Sequence, residues 1–183
     1  MLLIPVKAFH EAKSRLAESV VSPGRAALAR SMATSVLRAG RQLRLAVVCD
    51  DERVARWAAS NGALTLWKPG RGLNGAVTEA VEDLGAAGFD QVVVAHGDLP
   101  LAQSFSELLD FDGITLVPDR RRQGTNVICL PTGTGFEFSY GAGSFDRHLT
   151  EASRVATETR VVTDENLALD IDTPEDMEEL RRR

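Results

Sequence analysis

Short apolar runs alternate with helical segments along this 183-residue chain, and this alternation restricts the possible folds more than any other feature. Strands are predicted at residues 2–6, 43–49, 63–67, 91–96, 114–118 and 127–130, and helices at 22–38, 50–62, 73–87 and 103–110. Right-handed connections place such helices on both faces of a mostly parallel sheet, with ligands beyond the carboxyl ends of the strands. We therefore predict an α/β, Rossmann-like fold in a single domain over residues 1–183, with Ser22 and Asp50 as the N-caps of the first two helices.

Composition and charge exclude several classes of protein. The net charge of −5 gives no basic field for nucleic acid. No window approaches the roughly 20 apolar residues of a membrane span, and Lys7 interrupts the N-terminal apolar run too early for a signal peptide. Cys49 and Cys129 have no partner at metal-ligand spacing, which predicts structural thiols. We expect a cytoplasmic protein that binds neither nucleic acid nor membranes.

Acidic residues follow the fourth predicted strand and precede the final helix. Asp98 comes directly after a buried strand, so it is either a ligand of a metal or phosphate group or the cap of a following helix. Asp170 and Asp172 are two residues apart and would point the same way on an extended segment. Thr173 and Asp176 form the pattern of a helix N-cap. Carboxylates from two loops, completed by water and substrate phosphates, suit Mg²⁺.

Basic and glycine-containing segments offer sites for a nucleotide. Lys7, Lys13 and Arg15 follow the first strand and either hold a triphosphate, with Arg15 in bidentate contact, or form a solvated basic turn. The segment Gly70–Asn74 allows a tight loop before a helix, which suits either contact with a base or a plain connection.

Two later segments are predicted to bind an anion. Asp119–Asn126 precedes an apolar strand, and Tyr140–Ser144 places a hydroxyl at a predicted helix N-cap, where unsatisfied amides favour phosphate or carboxylate. The run Arg120–Arg122 is interpreted as a solvated face. His96 and His148 are interpreted as packing or surface residues without a role in proton transfer.

Five motifs occur in one order along the chain: IPVKxxxxAKSRL at 4–16, GLN at 72–74, GDLPL at 97–101, GTN at 124–126 and DIDTPED at 170–176. Together they resemble the guanylyltransferases of coenzyme F-420 biosynthesis over nearly the whole chain. The resemblance implies a nucleotidyltransferase fold and transfer of GMP from GTP to phosphoenolpyruvate or 2-phospho-L-lactate, giving a diphospho-guanosine intermediate and pyrophosphate. Pro5 and Lys7 stand where sugar and molybdopterin nucleotidyltransferases carry glycines, which favours the phosphoacid enzymes.

The resemblance also implies which residues form the site. They are Lys7, Lys13 and Arg15 for catalysis on the triphosphate; Gly72, Leu73 and Asn74 for the base; Thr125, Gly141 and Ser144 for the acid; and Asp98, Asp172 and Asp170 for Mg²⁺. Because the product is labile, direct hand-over to the next transferase of the pathway is a further expectation. The alternatives are a molybdopterin or sugar-phosphate nucleotidyltransferase of the same fold and a non-catalytic nucleotide-binding subunit.

Overall fold

The computed structural model describes residues 1–13, 16, 21–156 and 158–183. The strands are β1 (Leu2–Pro5), β2 (Leu45–Cys49), β3 (Leu64–Trp67), β4 (Gln91–Ala95), β5 (Ile114–Pro118), β6 (Thr125–Pro131) and β7 (Thr159–Val161). The helices are α1 (Ser22–Ala39), α2 (Glu52–Ser60), α3 (Gly72–Ala86), α4 (Ser144–Val155) and α5 (Pro174–Arg182), and a short 3-10 helix covers Ser106–Leu109. Among the described residues, no helix combines the length and apolar character needed to cross a membrane.

The strands form one sheet in the order β3-β2-β1-β4-β6-β5-β7. β1, β2, β3 and β4 are parallel, which confirms the predicted mostly parallel α/β sheet, whereas β6 is antiparallel to both β4 and β5. Because β6 runs the opposite way, its first residues lie beside the carboxyl end of β4. The His96 N–H donates to the Asn126 carbonyl over 3.0 Å, so the start of β6 joins the edge where ligands are expected.

Helices cover both faces of the sheet, as predicted. Leu2 and Ile4 of β1 pack in the same apolar cluster as residues of α1 and α2, while Leu3 packs with residues of α3 and α4. Successive strand residues point to opposite faces, so a strand that is covered on both faces is apolar throughout. The apolar runs of the sequence therefore mark strands buried between two layers of helices.

Three local predictions were wrong. Helix α1 begins at Ser22, with Val21 at the N-cap position, and α2 is capped by Asp51 rather than Asp50. Asp50 and Asp51 fit the capping pattern in the sequence equally well. In the structure the Asp51 carboxylate accepts hydrogen bonds from the Arg53 and Val54 amides, so Asp51 is the cap. The helix predicted at 103–110 is reduced to the 3-10 helix at Ser106–Leu109.

Candidate active site

The predicted acid-binding residues line one cavity, here called the β6 cavity, of about 370 Å³. Thr125 is the first residue of β6, Gly141 has a φ of +124° that favours glycine, and Ser144 is the first residue of α4. The predicted capping role of Ser144 was wrong, because Gly143 occupies the N-cap position with a φ of +69°. The Ser144 N–H donates to the Gly141 carbonyl over 3.0 Å, which closes the turn that leads into the helix.

A second cavity, here called the β1 cavity, has a volume of about 250 Å³ and lies beside the end of β1. Its lining includes Lys7, Lys13 and Leu73, and the Lys7 side chain is exposed. Arg15 lies outside the described residues. The structure therefore brings two of the three predicted catalytic cations to one cavity, together with one of the three residues predicted to contact the base.

The other two residues predicted to contact the base lie at the start of α3. Gly72 is its first residue, with a φ of +65°, and Asn74 lies in its first turn. The Asn74 Oδ1 accepts a hydrogen bond of 2.8 Å from the Tyr140 N–H, so this side chain ties α3 to the loop that forms the β6 cavity. A role for Gly72 and Asn74 in base recognition stays a prediction.

The two cavities meet at an ion cluster formed by Lys13, Asp98 and Asp172, in which the Lys13 side chain is buried and the Asp172 side chain is 44% exposed. The Lys13 Nζ donates to Asp98 Oδ2 and, over 2.9 Å, to Asp172 Oδ1, and only 7% of the Lys13 side chain is exposed. His96 lines both cavities beside this cluster. Asp98 thus serves as a partner of Lys13 rather than as a helix cap, because the next helical residues along the chain begin only at Ser106.

Lys13 reaches the carboxylates because the chain turns back after β1. The Glu11 N–H donates to the Ala8 carbonyl, the Ala12 N–H donates to the Phe9 carbonyl, and Lys13 itself adopts a φ of +58°. Left-handed backbone is uncommon for a residue with a side chain and is strained when it occurs. The turn therefore holds Lys13 in a strained backbone conformation, and the ion pairs of its side chain offset this strain.

The ion pairs shift the pKa values of Lys13 and Asp98. Burial by itself lowers the pKa of the Lys13 ammonium, but Asp98 and Asp172 together raise it above its ordinary value. Burial likewise raises the pKa of the Asp98 carboxyl, and the charge of Lys13 overcomes this effect, so the pKa lies below its usual range. Both groups are therefore ionised at neutral pH.

The segment before α5 brings the late acidic residues to the same place. Leu169 and Ile171 are fully buried, and the Ile171 N–H donates to the Asp98 carbonyl over 3.2 Å. Asp170 and Asp172 alternate with these apolar residues and both line the β6 cavity, in agreement with the predicted alternation. Burial first, then the charges of Asp98 and Asp172, raise the pKa of Asp170 to about 6.

The carboxylates of this cluster fit a hard cation such as Mg²⁺. Asp98 Oδ1 is buried and has no hydrogen-bond partner among the described residues, and burial together with the charges of Asp98 and Asp172 raises the pKa of Asp170. Within residues 1–13, 16, 21–156 and 158–183, no three His, Cys, Asp or Glu side chains could enclose a metal ion by themselves. Mg²⁺ is commonly held by one or two carboxylates together with water and substrate phosphates, and this donor set matches that pattern.

Asp176 anchors the final helix and the rim of the β6 cavity, and its contacts confirm the predicted capping box. Its Oδ2 accepts from the Thr173 N–H over 2.8 Å and from the Asp172 N–H over 3.1 Å. Its Oδ1 pairs with the Arg120 Nη2 over 2.5 Å. Because the amide of Asp172 is bonded to Asp176, the capping box also fixes the backbone of a residue in the ion cluster.

Residues 120–122 are exposed, in agreement with their interpretation as a solvated face, but they also make contacts that this interpretation did not include. Arg120 and Arg121 line the β6 cavity, and the Arg122 guanidinium lies 4.7 Å from the centre of the Phe145 ring. The sequence offered one signal for a role in the cavity, namely the position of these arginines shortly before the GTN motif. A run of charges by itself indicates only solvent exposure. The interpretation of His148 as a packing residue is confirmed, because its side chain is fully buried.

Comparison with known proteins gives three findings. The family model "Guanylyl transferase CofC like" matches residues 1–181. The phosphoenolpyruvate guanylyltransferase of Sphaerobacter thermophilus is 36% identical over 187 residues, which cover 97% of this chain and 90% of the relative. The 2-phospho-L-lactate guanylyltransferase of Methanothermobacter thermautotrophicus is 34% identical over 187 residues, which cover 97% of this chain and 82% of that protein.

A solved structure shows the same fold at lower identity. The solved structure is that of a protein from Desulfovibrio desulfuricans provisionally named a nucleotide-diphospho-sugar transferase. It superposes on this chain with a TM-score of 0.78 and 20% identity. The match covers 99% of this chain and 85% of that one, so the two proteins share the fold over nearly their whole length.

The contacts of Asp176 generate a stability prediction. We expect Asp176→Asn to lower the free energy of unfolding at neutral pH by roughly 2 kcal/mol, because Arg120 loses its carboxylate partner and the capping box is weakened. Burial acts to raise the pKa of Asp176, but hydrogen bonds from Thr173, Asp172 and Arg120 lower it below the ordinary value. The stabilisation is therefore present above the carboxyl's unfolded pKa of roughly 3.9 and is lost as the pH falls through the lower folded pKa.

Urea unfolding of both proteins from about pH 3 to pH 7 measures this difference. Asp112→Asn, at an exposed aspartate outside α5, is the matched control and should behave like the wild type. A difference between wild type and Asp176→Asn that stays constant over the whole pH range would contradict the ionic part of the explanation.

Proposed function

Because the chain belongs to the family of CofC-like guanylyl transferases, we propose that it transfers the guanylyl group of GTP to phosphoenolpyruvate or 2-phospho-L-lactate. The observation that carries the proposal is the placement of two cavities on either side of the cluster of Lys13, Asp98 and Asp172. We assign one cavity to the nucleotide and the other to the acid, and the two relatives reported above, each named for one of the two acids, are 36% and 34% identical to this chain.

The reaction requires alignment more than it requires a nucleophilic side chain. A phosphate oxygen of the acid attacks the α-phosphorus of GTP, a new phosphorus–oxygen bond forms, and the bond to the oxygen that bridges the α and β phosphates breaks. Pyrophosphate leaves with the electron pair of that bond. Because the attacking phosphate is already an anion, the protein has to hold two anions in line and offset their repulsion.

The β1 cavity is the proposed site of the triphosphate. Lys7 reaches it as an exposed cation, and Lys13 is already ordered at its inner end by the two carboxylates. Leu73 in the first turn of α3 lies beside them, which supports placing the base near Gly72 and Asn74. In this placement the α-phosphate of the bound triphosphate lies next to the ion cluster.

The β6 cavity is the proposed site of the acid. Thr125 and Ser144 offer hydroxyl groups, and Gly141 allows the backbone to approach closely. Arg120 and Arg121 add positive charge at the rim, although both are paired with Asp176, over 2.5 and 3.6 Å. The cavity therefore offers hydrogen-bond donors to a small anionic acid, but four aspartates also line it, so the acid depends on the arginines and on the proposed Mg²⁺ to offset their charge; these residues are Asp119, Asp170, Asp172 and Asp176.

Asp98 and one of the two late aspartates, Asp172 in preference to Asp170, are the proposed ligands of Mg²⁺. When bound, this ion neutralises charge on the phosphate oxygens during transfer. Lys13 keeps Asp98 and Asp172 within reach of one cation because its ammonium group donates to both. Asp170, whose pKa is raised to about 6 by burial and by the charges of Asp98 and Asp172, is the alternative late ligand.

The other two interpretations of the sequence differ from this proposal in measurable ways. A molybdopterin or sugar-phosphate nucleotidyltransferase would release pyrophosphate only with those acceptors, and a non-catalytic subunit would release none. Incubation of the protein with Mg²⁺, each nucleoside triphosphate and each acceptor in turn distinguishes the three. Pyrophosphate released only with GTP and one of the two phosphoacids is the result that the proposal requires.

The proposed metal ligands generate a prediction about turnover. We expect Asp98→Asn and Asp172→Asn each to lower kcat at least roughly a hundredfold, because loss of one anionic ligand removes several kcal/mol of charge stabilisation. Asp112→Asn, at an exposed aspartate outside both cavities, is the matched control and should keep wild-type kcat. Near-normal kcat in either variant would remove that residue from the proposed metal site, and loss confined to Asp170→Asn would reassign the late ligand.

The assignment of the two cavities generates a prediction about substrate binding. We expect Thr125→Ala and Ser144→Ala to raise the KM for the acid about tenfold to a hundredfold, because each loses a hydrogen bond to a charged group worth roughly 1.5 to 3 kcal/mol. Lys7→Ala should instead weaken GTP binding, as should Arg15→Ala. Calorimetric titration of each variant with GTP and with the acid tests the assignment, and equal losses for both ligands would contradict it.

The instability of the product supports a further part of the proposal. A mixed diphosphate is labile, so direct hand-over to the transferase that consumes it would protect the product, and we propose this arrangement for a cytoplasmic enzyme. A coupled assay at increasing concentration of that transferase should show a shorter lag than free diffusion allows. A lag that follows free diffusion throughout would contradict direct hand-over.

A further inference from the structure

His148 lies on α4 behind Thr125, and its side chain is fully buried. Its ring packs against the rings of Tyr140 and Phe136, with centroids 4.9 and 5.7 Å apart. The proposed reaction gives this ring no contact with either substrate. Both of its nitrogens nevertheless have hydrogen-bond partners, one of which is a residue of the proposed acid site.

The Ser139 amide determines which ring nitrogen carries the proton. Its N–H donates to His148 Nε2 over 2.9 Å, and a backbone amide always carries its hydrogen, so Nε2 presents a lone pair. Burial first, then the neighbouring charge of Arg147, lower the pKa of His148 to about 4, so the ring is neutral at neutral pH. Its single proton therefore resides on Nδ1, which donates to the Thr125 Oγ1 over 2.9 Å.

This direction of donation constrains the Thr125 hydroxyl group. The oxygen already accepts a hydrogen bond from the ring, so its own hydrogen has to point elsewhere. Among the described residues, no second partner of this hydroxyl group lies within hydrogen-bond distance. Thr125 lines the β6 cavity, where an anionic oxygen of a bound acid would accept that hydrogen.

We propose that His148 is a positioning residue that makes the Thr125 hydroxyl group a donor to an anionic oxygen of the acceptor acid. The inference rests on the proposed function, because it takes the β6 cavity as the acid site. His148 itself stays behind the wall of the cavity and exchanges no proton with substrate. Without its Nδ1–H, the hydroxyl group can rotate, and fewer of its orientations donate into the cavity.

Two amide substitutions separate the two hydrogen bonds of the ring. His148→Gln places an amide oxygen near the position of Nε2, so it keeps an acceptor for Ser139 and loses the donor to Thr125. His148→Asn places an amide nitrogen near the position of Nδ1, so it keeps the donor to Thr125 and loses the acceptor for Ser139. Each variant removes one hydrogen bond from the same buried site, so their losses of Tm should be similar.

The KM values for the two substrates then report the proposed role. We expect His148→Gln to raise the KM for the acid roughly threefold to tenfold while the KM for GTP stays unchanged. His148→Asn should keep the KM for the acid within about twofold of wild type. A purely structural role would instead lower Tm and the active fraction in both variants without separating the two KM values.

A double-substitution cycle with Thr125→Val tests whether His148 acts through the hydroxyl group. Valine keeps the shape of threonine and removes the oxygen, so His148→Gln should cause no further rise in the KM for the acid in that background. Nitrogen chemical shifts of the His148 ring, measured by NMR on the wild-type protein, should show the proton on Nδ1.

Three results would overturn the inference while leaving the proposed function in place: equal KM changes in the Gln and Asn variants, additive effects in the cycle, or a ring proton on Nε2. Absence of turnover by the wild-type enzyme with both phosphoacids would overturn the proposed function and this inference together. The activity of the wild-type enzyme thus distinguishes the two kinds of failure.

Discussion

The Lys13 ammonium group donates to both Asp98 and Asp172, and this contact holds the two carboxylates close together where the two cavities meet. Like charges repel one another, so two neighbouring carboxylates are stabilised by an ammonium group that donates to both. Asp170 illustrates the cost, since burial and the neighbouring carboxylates raise its pKa to about 6. The turn after β1, the end of β4 and the segment before α5 therefore converge on one ammonium group, and the two cavities open on either side of it.

The reversed direction of β6 joins the proposed acid site to this cluster. In a fully parallel sheet the start of a strand lies at the edge opposite the ligand-binding one, and Thr125 would be far from Asp98. Because β6 is antiparallel to β4, Ala95 pairs with Val127, and the His96 N–H donates to the Asn126 carbonyl. The same reversal places Thr125 in front of His148, whose ring then sets the direction of the hydroxyl hydrogen.

Much of the candidate site could be predicted from local sequence. Asp98 follows a strand of small apolar residues, and Asp170 and Asp172 alternate with buried residues, so their approach to one edge of the sheet follows from strand direction and periodicity. The contributions of Arg120 and His148 could not be predicted in this way. A charged run and a histidine on a helix have ordinary roles in most proteins, and only their partners, Asp176 and Thr125, distinguish them here.

The sequence by itself determined the alternation of strands and helices, the apolar character of strands covered on both faces, and the capping box of Thr173 and Asp176, because each depends on residues close together in the chain. Tertiary structure decided the antiparallel direction of β6, the choice of Asp51 as a cap and the pairing of Lys13 with two carboxylates. Lys13 and Asp172 are 159 residues apart, and their contact depends on how the whole sheet assembles. Contacts of this kind leave no pattern in the local sequence, because they depend on how distant segments meet and not on the residues next to each partner.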